Sequence, residues 1–437
     1  LLSIKYPDKI SGLQILQLIR FGTLLLISIV FAKSSVTTES IGKYEIFLFI
    51  TALLTSFWIN GVIQSFLPLY RNNKTFISHT SRSPEIFNAY ILISMLTVLT
   101  IIVLILFRGD LSDIINSEGP LPWFSLILIY IFFSSPSFLV EYIYLLKDEG
   151  KRMLTYALIT FSVQLIVVAL PALLSGNMEL SVKGMVAVSV IRYIWLIALL
   201  VKFSLPVISM NFIKEHISFA FPLIISALLG SSAHYVDGFL VLNKYDAATF
   251  ALFSYGAKEF PLTLLMANAL STAMIPEFSE KRDLNYALKT LKKRSAQLMH
   301  TLFPVTILFL LSSEWLYPKI FNENFTGSAV IFNIYLLLII SRLVFPHTII
   351  TGMKKTRVVM YASLAELIVN ISLSILFIRL WGIEGVAFAT LIAYAVQKII
   401  WLMYNKAALG ISPEKYIPVT ILSIYTFLTL TVFYFMY

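Results

Sequence analysis

The 437-residue sequence predicts an all-α polytopic membrane protein: two six-helix lobes related by an axis along the membrane normal, with a candidate extra helix at the C-terminus. Three observations predict it. Hydrophobic residues make up 58% of the chain and charged residues 13%, about half the charged share of an ordinary soluble domain. The apolar residues come in blocks of roughly 20, the helix length that spans a hydrocarbon core of about 30 Å. The two halves of the chain also share landmarks at a common offset.

The first six apolar blocks are 12–32, 44–68, 85–107, 121–146, 153–175 and 184–203. A second six follow at 216–242, 247–276, 297–317, 328–350, 358–380 and 385–404, and 417–437 is a candidate thirteenth span. Each is expected to be helical, because in lipid every backbone group needs an internal partner. The spans containing proline are expected to kink or break. The corresponding domains are an N-terminal lobe, 1–204, a C-terminal lobe, 205–404, and the remainder, 405–437. The first apolar run carries Arg20 and lacks a small-residue cleavage site, so no cleavable signal is expected.

Orientation follows from the basic residues. Alternate loops, starting with the N-terminal segment, hold 21 of the 33 Lys and Arg, and the intervening loops hold 7. That bias places the N-terminus in the cytosol. It also supports the span count, since one missed helix would scramble the alternation.

The halves resemble each other. Span two ends in Leu67-Pro68-Leu69-Tyr70 and span eight in Ile275-Pro276-Glu277-Phe278, with prolines 208 residues apart. Spans six and twelve open on Gly184-Met185-Val186-Ala187 and Gly385-Val386-Ala387-Phe388, 201 residues apart. Six spans per half is an even number, so both halves share one orientation. Paired halves of this kind build transporters whose site lies where the repeats meet.

Composition also excludes functions. The net charge of +10 is distributed among loops rather than gathered in one patch, which argues against nucleic acid as a partner. There is no cysteine, so no disulfide or thiolate metal site forms, and the five histidines lack zinc spacing. No G-x-x-x-x-G-K-[ST] sequence is present. Neither cofactor nor catalytic centre is expected. The longest connector, 277–296, is basic and expected to be a helical cytosolic link, and the external loops are too short for a catalytic domain.

Ionisable groups inside spans are costly and mark candidate sites. Arg192 lies eight or more residues from either end of span six, too deep for easy snorkelling; Arg20 in span one and Arg342 in span ten are nearly as deep. Lys258 and Glu259 sit mid-span before Pro261, and as neighbours they do not share a helix face. Glu366 is mid-span in the eleventh helix, and Asp237 lies near an outer end with His234 one turn deeper. Lys398 and Glu141 lie about five residues, or roughly 8 Å, from a cytosolic end, so Lys398 is expected to snorkel. The deep cations Arg20, Arg192, Lys258 and Arg342 outnumber the deep acids Glu259 and Glu366. A surplus of buried positive charge suits an anionic substrate, since Arg–phosphate bonds strengthen where water is scarce. The bland reading of the same residues is a set of salt bridges holding helices together.

Several stretches resemble a known family. These are Glu39-Ser40-Ile41-Gly42-Lys43-Tyr44, Phe221-Pro222-Leu223-Ile224 followed by Tyr235-Val236-Asp237, and the run from Gly352 through Lys354-Lys355-Thr356, Glu366 and Asn370 to Gly382-Ile383-Glu384-Gly385-Val386-Ala387. In order along nearly the whole chain, they resemble the polysaccharide (O-antigen repeat, Wzx-type) flippases of the multidrug/oligosaccharidyl-lipid/polysaccharide exporter superfamily. The resemblance implies alternating access around a cavity between two lobes in the bacterial cytoplasmic membrane. Its substrate would be a polyprenyl-diphosphate-linked glycan, with membrane lipids around it and a polysaccharide polymerase as a candidate partner. Arg20, Arg192, Lys258 and Arg342 would bind the substrate, and Asp237, Glu259 and Glu366 would couple an ion or gate the path. The candidate thirteenth span departs from a twelve-helix pattern. Two alternatives stay open: a drug/cation antiporter of the same superfamily, which would prefer an acidic cavity, and a membrane enzyme acting on lipid-linked sugars.

Overall fold

The computed structural model describes residues 9–70, 82–109, 121–258, 261–278 and 283–437. Among the described residues every extended regular element is a helix, and one isolated bridge joins Ser83 to Ser204. The first helices are α1 (Lys9–Lys33), α2 (Thr38–Leu69), α3 (Pro84–Leu106), α4 (Phe124–Ser137), α5 (Leu139–Leu146), α6 (Gly150–Ser175) and α7 (Met178–Phe203). Then come α8 (Met210–Lys244), α9 (Ala247–Gly256), α10 (Pro261–Met274), α11 (Leu284–Ile320), α12 (Thr326–Leu336), α13 (Ile339–Arg342), α14 (Pro346–Gly352), α15 (Thr356–Ala407) and α16 (Val419–Met436). Side chains start the longer ones. Thr37 caps α2 by accepting from the Ser40 amide, and Asn177 caps α7 by accepting from the Leu180 amide.

Eleven helical segments among the described residues are long and apolar enough to cross a membrane. This differs from thirteen apolar blocks for two physical reasons. The eighth block is divided into α9 and α10, neither long enough by itself, because Ala257 and Lys258 leave the helix before Pro261. The eleventh and twelfth blocks both lie in α15, which bends at Trp381 and at Gly382, where φ is +61°. That left-handed angle favours glycine. The fourth block is jointed where α4 passes into α5 after Pro136. The basic connector around 284–296 is the start of α11, capped by Asp283.

The chain forms two compact units, Leu1–Leu228 with Tyr245–Ala248, and Leu229–Lys244 with Thr249–Tyr437. In the first, α1 packs on α6, α6 on α7, and α4 on both α3 and α7, around Phe66, Ile86, Leu139, Ile143, Met153 and Leu196. In the second, α11 packs on α12 and α16, and α15 on α12 and α14, around Leu291, Phe303, Phe345, Ile349 and Tyr416. Outward faces stay apolar: Leu106, Leu174 and Ile194 are 71%, 81% and 63% exposed. Water would penalise so much exposed hydrocarbon, whereas a bilayer accepts it. The protein is a multi-pass membrane protein.

The two glycines that open spans six and twelve are both points of close backbone approach. A Cβ on Gly184 would lie 2.6 Å from the Val167 carbonyl oxygen, and one on Gly385 would lie closer still to that of Phe377. Because the obstacle is backbone, it cannot rotate aside. Gly184→Val is expected to force α6 and α7 apart and cost about 1–3 kcal/mol. The measurement is the temperature at which detergent-solubilised protein loses its monodisperse chromatographic peak; an unchanged temperature would refute the tight contact.

Candidate functional site

The first unit contains a cavity of 410 Å³. Its charged lining is Arg20 from α1, Glu141 from the first turn of α5 and Arg192 from α7. The remaining walls mix polar and aromatic residues, including Asn60, Tyr130, Ser134, Tyr156, Phe161 and Gln164, with aliphatic ones such as Leu24, Leu48 and Ile59. Arg20 forms an ion pair with Glu141, in which the arginine side chain is 31% exposed and the glutamate 6%. Arg192 donates from Nη2 to Gln164 Oε1 at 2.7 Å, while its Nε is buried without a hydrogen-bond partner. Both guanidinium groups lie near the same aromatic ring. Arg192 Cζ is 4.3 Å and Arg20 Cζ 5.7 Å from the Phe161 centroid, and Arg20 also lies 5.3 Å from that of Phe138. Two cations against one carboxylate leave a net positive cavity with spare donor capacity, the arrangement that accepts an oxyanion.

The other candidates belong to the second unit. Asp237 is fully buried at the centre of a hydrogen-bonded cluster. Tyr335 Oη donates to Oδ2 at 3.1 Å, Asn370 Nδ2 to Oδ1 at 3.2 Å, and Thr390 Oγ1 to Oδ2. Asn370 Nδ2 also reaches Thr390 Oγ1 at 3.0 Å, and Asn370 Oδ1 is buried without a hydrogen-bond partner. Glu366 is buried and accepts from Gln397. Arg342 sits over the Tyr394 ring at 4.4 Å, beside a void of only about 10 Å³, room for no more than one water. Lys258, at the break between α9 and α10, lies 4.6 Å from the Tyr255 ring centroid. Glu259 lies outside the described residues, as does the side chain of His234.

Lys398 does not snorkel. It is 8% exposed and its Nζ donates to the Val344 carbonyl at 2.9 Å. The tenth span is interrupted between α13 and α14, where Pro346 supplies no amide hydrogen, and the carbonyls freed there need donors. Ser295 Oγ donates to Leu343 O at 3.1 Å, so two side chains serve the carbonyls of the interruption, and Asn405 Nδ2 donates to Pro346 O at 3.1 Å at the start of α14.

Of the residues singled out in the sequence, the structure brings Arg20 and Arg192 together in one cavity and assigns Lys258, Arg342, Asp237 and Glu366 to the other unit. Sequence alone does not mark Glu141 as the ion-pair partner of Arg20 or Gln164 as the acceptor for Arg192. A glutamine in the middle of span five was the available signal, since an amide in lipid needs a partner just as a charge does. Tyr335 and Thr390, which complete the Asp237 cluster, are ordinary residues of apolar spans and gave no such signal.

This architecture is shared with solved membrane transporters. A structure of the lipid II flippase MurJ in an inward closed conformation matches with a TM-score of 0.72 and 18% identity, covering 96% of this chain and 92% of that one. An inward-facing multidrug resistance MATE family transporter of the MOP superfamily matches at 0.63 and 12% identity, over 89% and 94%. A MOP superfamily transporter from Pyrococcus furiosus, described as having a binding pocket of reverse polarity, matches at 0.57 and 12%, over 93% and 97%. The family described as polysaccharide biosynthesis protein matches residues 35–330, and the chain belongs to that family. No curated protein matches the sequence at a significant level.

Proposed function

We propose that this protein is a flippase that carries a polyprenyl-diphosphate-linked oligosaccharide from the cytosolic to the outer leaflet of the bacterial cytoplasmic membrane by alternating access, with its N-terminus in the cytosol. The observation that carries the reading is the cavity where Arg20 and Arg192 face a space of 410 Å³ with a net positive lining. A diphosphate supplies the anionic oxygens that Arg192 lacks as partners, and the neutral polar wall of Asn60, Tyr130, Ser134 and Gln164 suits sugar hydroxyls. The prenyl tail would remain in lipid. Lys258 and Arg342 are proposed as further phosphate contacts during the cycle, and a polysaccharide polymerase as the consumer of the flipped product.

Coupling is assigned to the second unit. Asp237 is a buried carboxylate with no ion-pair partner among the described residues, accepting from the hydroxyls of Thr390 and Tyr335 and the amide nitrogen of Asn370. Such a group needs a proton or a small cation to neutralise it, and its carboxylate with the two neighbouring hydroxyls offers the oxygen ligands that suit a hard ion. Glu366 is the second candidate, and Glu259 keeps the gating role the sequence suggests.

The test is reconstitution. Purified protein in liposomes is expected to move a short polyprenyl-diphosphate-linked glycan between leaflets, read by its accessibility to an impermeant lectin. The second reading, a drug/cation antiporter, is favoured by the multidrug-transporter fold and opposed by the sign of the cavity charge. Export of a cationic dye without glycan translocation would establish it instead.

A further inference from the structure

The Arg20–Glu141 pair has a consequence for how such a protein lets its substrate go. Among the described lining residues Glu141 is the sole acid in a cavity otherwise built to hold an anion, and it is not at the rim: its side chain is 6% exposed, while that of Arg20 is 31% exposed. The two partners are therefore unequally fixed. Glu141 is anchored in the first turn of the eight-residue α5, just past the joint at Phe138. Arg20, on a long flexible stem, rests against the rings of Phe138 and Phe161 and has room to turn into the cavity. Arg192, held by Gln164 and stacked on Phe161, has no carboxylate of its own among the described ion pairs.

Resting on the flippase reading above, we propose that Glu141 is a built-in competitor for the substrate phosphate: it holds Arg20 when the cavity is empty, yields it to the incoming diphosphate, and reclaims it on release. With Glu141 charged, the lining carries one net positive charge against a dianionic headgroup; without it, the lining carries two and matches the headgroup. A carrier needs binding strong enough to load and weak enough to unload. A fixed carboxylate against a mobile guanidinium supplies the second requirement, because leaving Glu141 buried and unpaired is unfavourable and raises the free energy of the loaded state. Arg192 holds the phosphate throughout, and Arg20 is the cation that changes partners. Glu141 is thus a positioning residue that acts through Arg20 and does not itself touch substrate.

The experiment measures binding and turnover separately in the full chain. Equilibrium binding of undecaprenyl diphosphate to detergent-purified protein is compared among native, Glu141→Gln, Glu141→Leu and Arg192→Gln forms, alongside the rate of glycan translocation in liposomes. The neutral variants at 141 are expected to bind at least tenfold more tightly and to translocate several-fold more slowly at saturating substrate. Two such variants are used so that poor folding of one, seen in its melting temperature, does not end the test. Weakened binding in Arg192→Gln together with unchanged or weaker binding in both 141 variants would overturn the competitor role and leave the flippase reading standing. Undiminished binding in Arg192→Gln would remove the cationic site itself, and this inference with it.

Discussion

Replacing Arg192 with alanine is expected to abolish surface polysaccharide in cells that depend on this protein, while the variant still reaches the membrane at normal abundance. The expectation rests on what Arg192 does and does not touch. Its Nη2 is committed to Gln164, its face to Phe161, and its Nε is buried with nothing to donate to. A hydrogen bond to a charged group is worth about 1.5–3 kcal/mol, so a two-bond Arg–phosphate contact is worth on the order of 10²–10⁴ in affinity. Losing it leaves too little free energy to draw a diphosphate out of the headgroup layer. Structural loss is smaller: one hydrogen bond to Gln164 and one ring contact disappear, and Gln164 still lines the cavity. Arg192→Lys separates charge from geometry, since it keeps the cation but loses the planar fork, and intermediate activity is expected. Lys258→Ala in the same assay tests whether the cation at the break between α9 and α10 also contributes. Normal polymer from both Arg192→Ala and Lys258→Ala would end the proposal that buried cations carry the substrate.

Hydropathy made the fold legible. Span positions depend on local composition, and the bilayer permits only one backbone solution for each apolar block. The breaks were legible where a proline announced them, as at Pro261 and Pro346. Side-chain direction was not legible, because depth along the chain is not the same as distance to a neighbour. Lys398 and Glu141 sit equally close to a cytosolic end in sequence, a position from which Lys398 is expected to reach for the interface. In the folded chain Lys398 instead turns inward, because a broken helix in the neighbouring span exposes a carbonyl that needs a donor. Glu141 turns inward because α1 brings Arg20 to it from 121 positions away. Both depend on which helix packs on which, information carried by tertiary contacts rather than by any window of sequence. The cations were recognisable as a class, since a charge in lipid always demands an explanation, and their residue numbers put two in each half of the chain; which neighbours each would meet was not legible.

Asp237→Asn is expected to uncouple transport from its driving ion without unfolding the protein or emptying the arginine cavity. The substitution is nearly isosteric. Its carbonyl oxygen still accepts from Thr390 or Tyr335, and only the bond from Asn370 must rearrange. What changes is the capacity to take up charge. The native carboxylate is buried with hydroxyls and an amide for neighbours, so it is neutral with a proton, balanced by a bound cation, or unstable. Loading and unloading that charge shifts the stability of one transporter conformation relative to the other, and a ligand drives such an equilibrium only by the difference in its affinity for the two states. An asparagine binds neither proton nor sodium with comparable strength, so that difference vanishes. In liposomes carrying an imposed sodium or proton gradient, gradient-driven translocation is expected to fall tenfold or more, while exchange at zero gradient and undecaprenyl diphosphate binding stay near native. Asp237→Ala is expected to be worse for a different reason. It removes the acceptor shared by three buried donors, at about 1–3 kcal/mol for each one left unsatisfied, and should be lost in expression or melt early. If Asp237→Asn followed the imposed gradient as the native protein does, the coupling site would have to be sought elsewhere, with Glu366 the next group to neutralise.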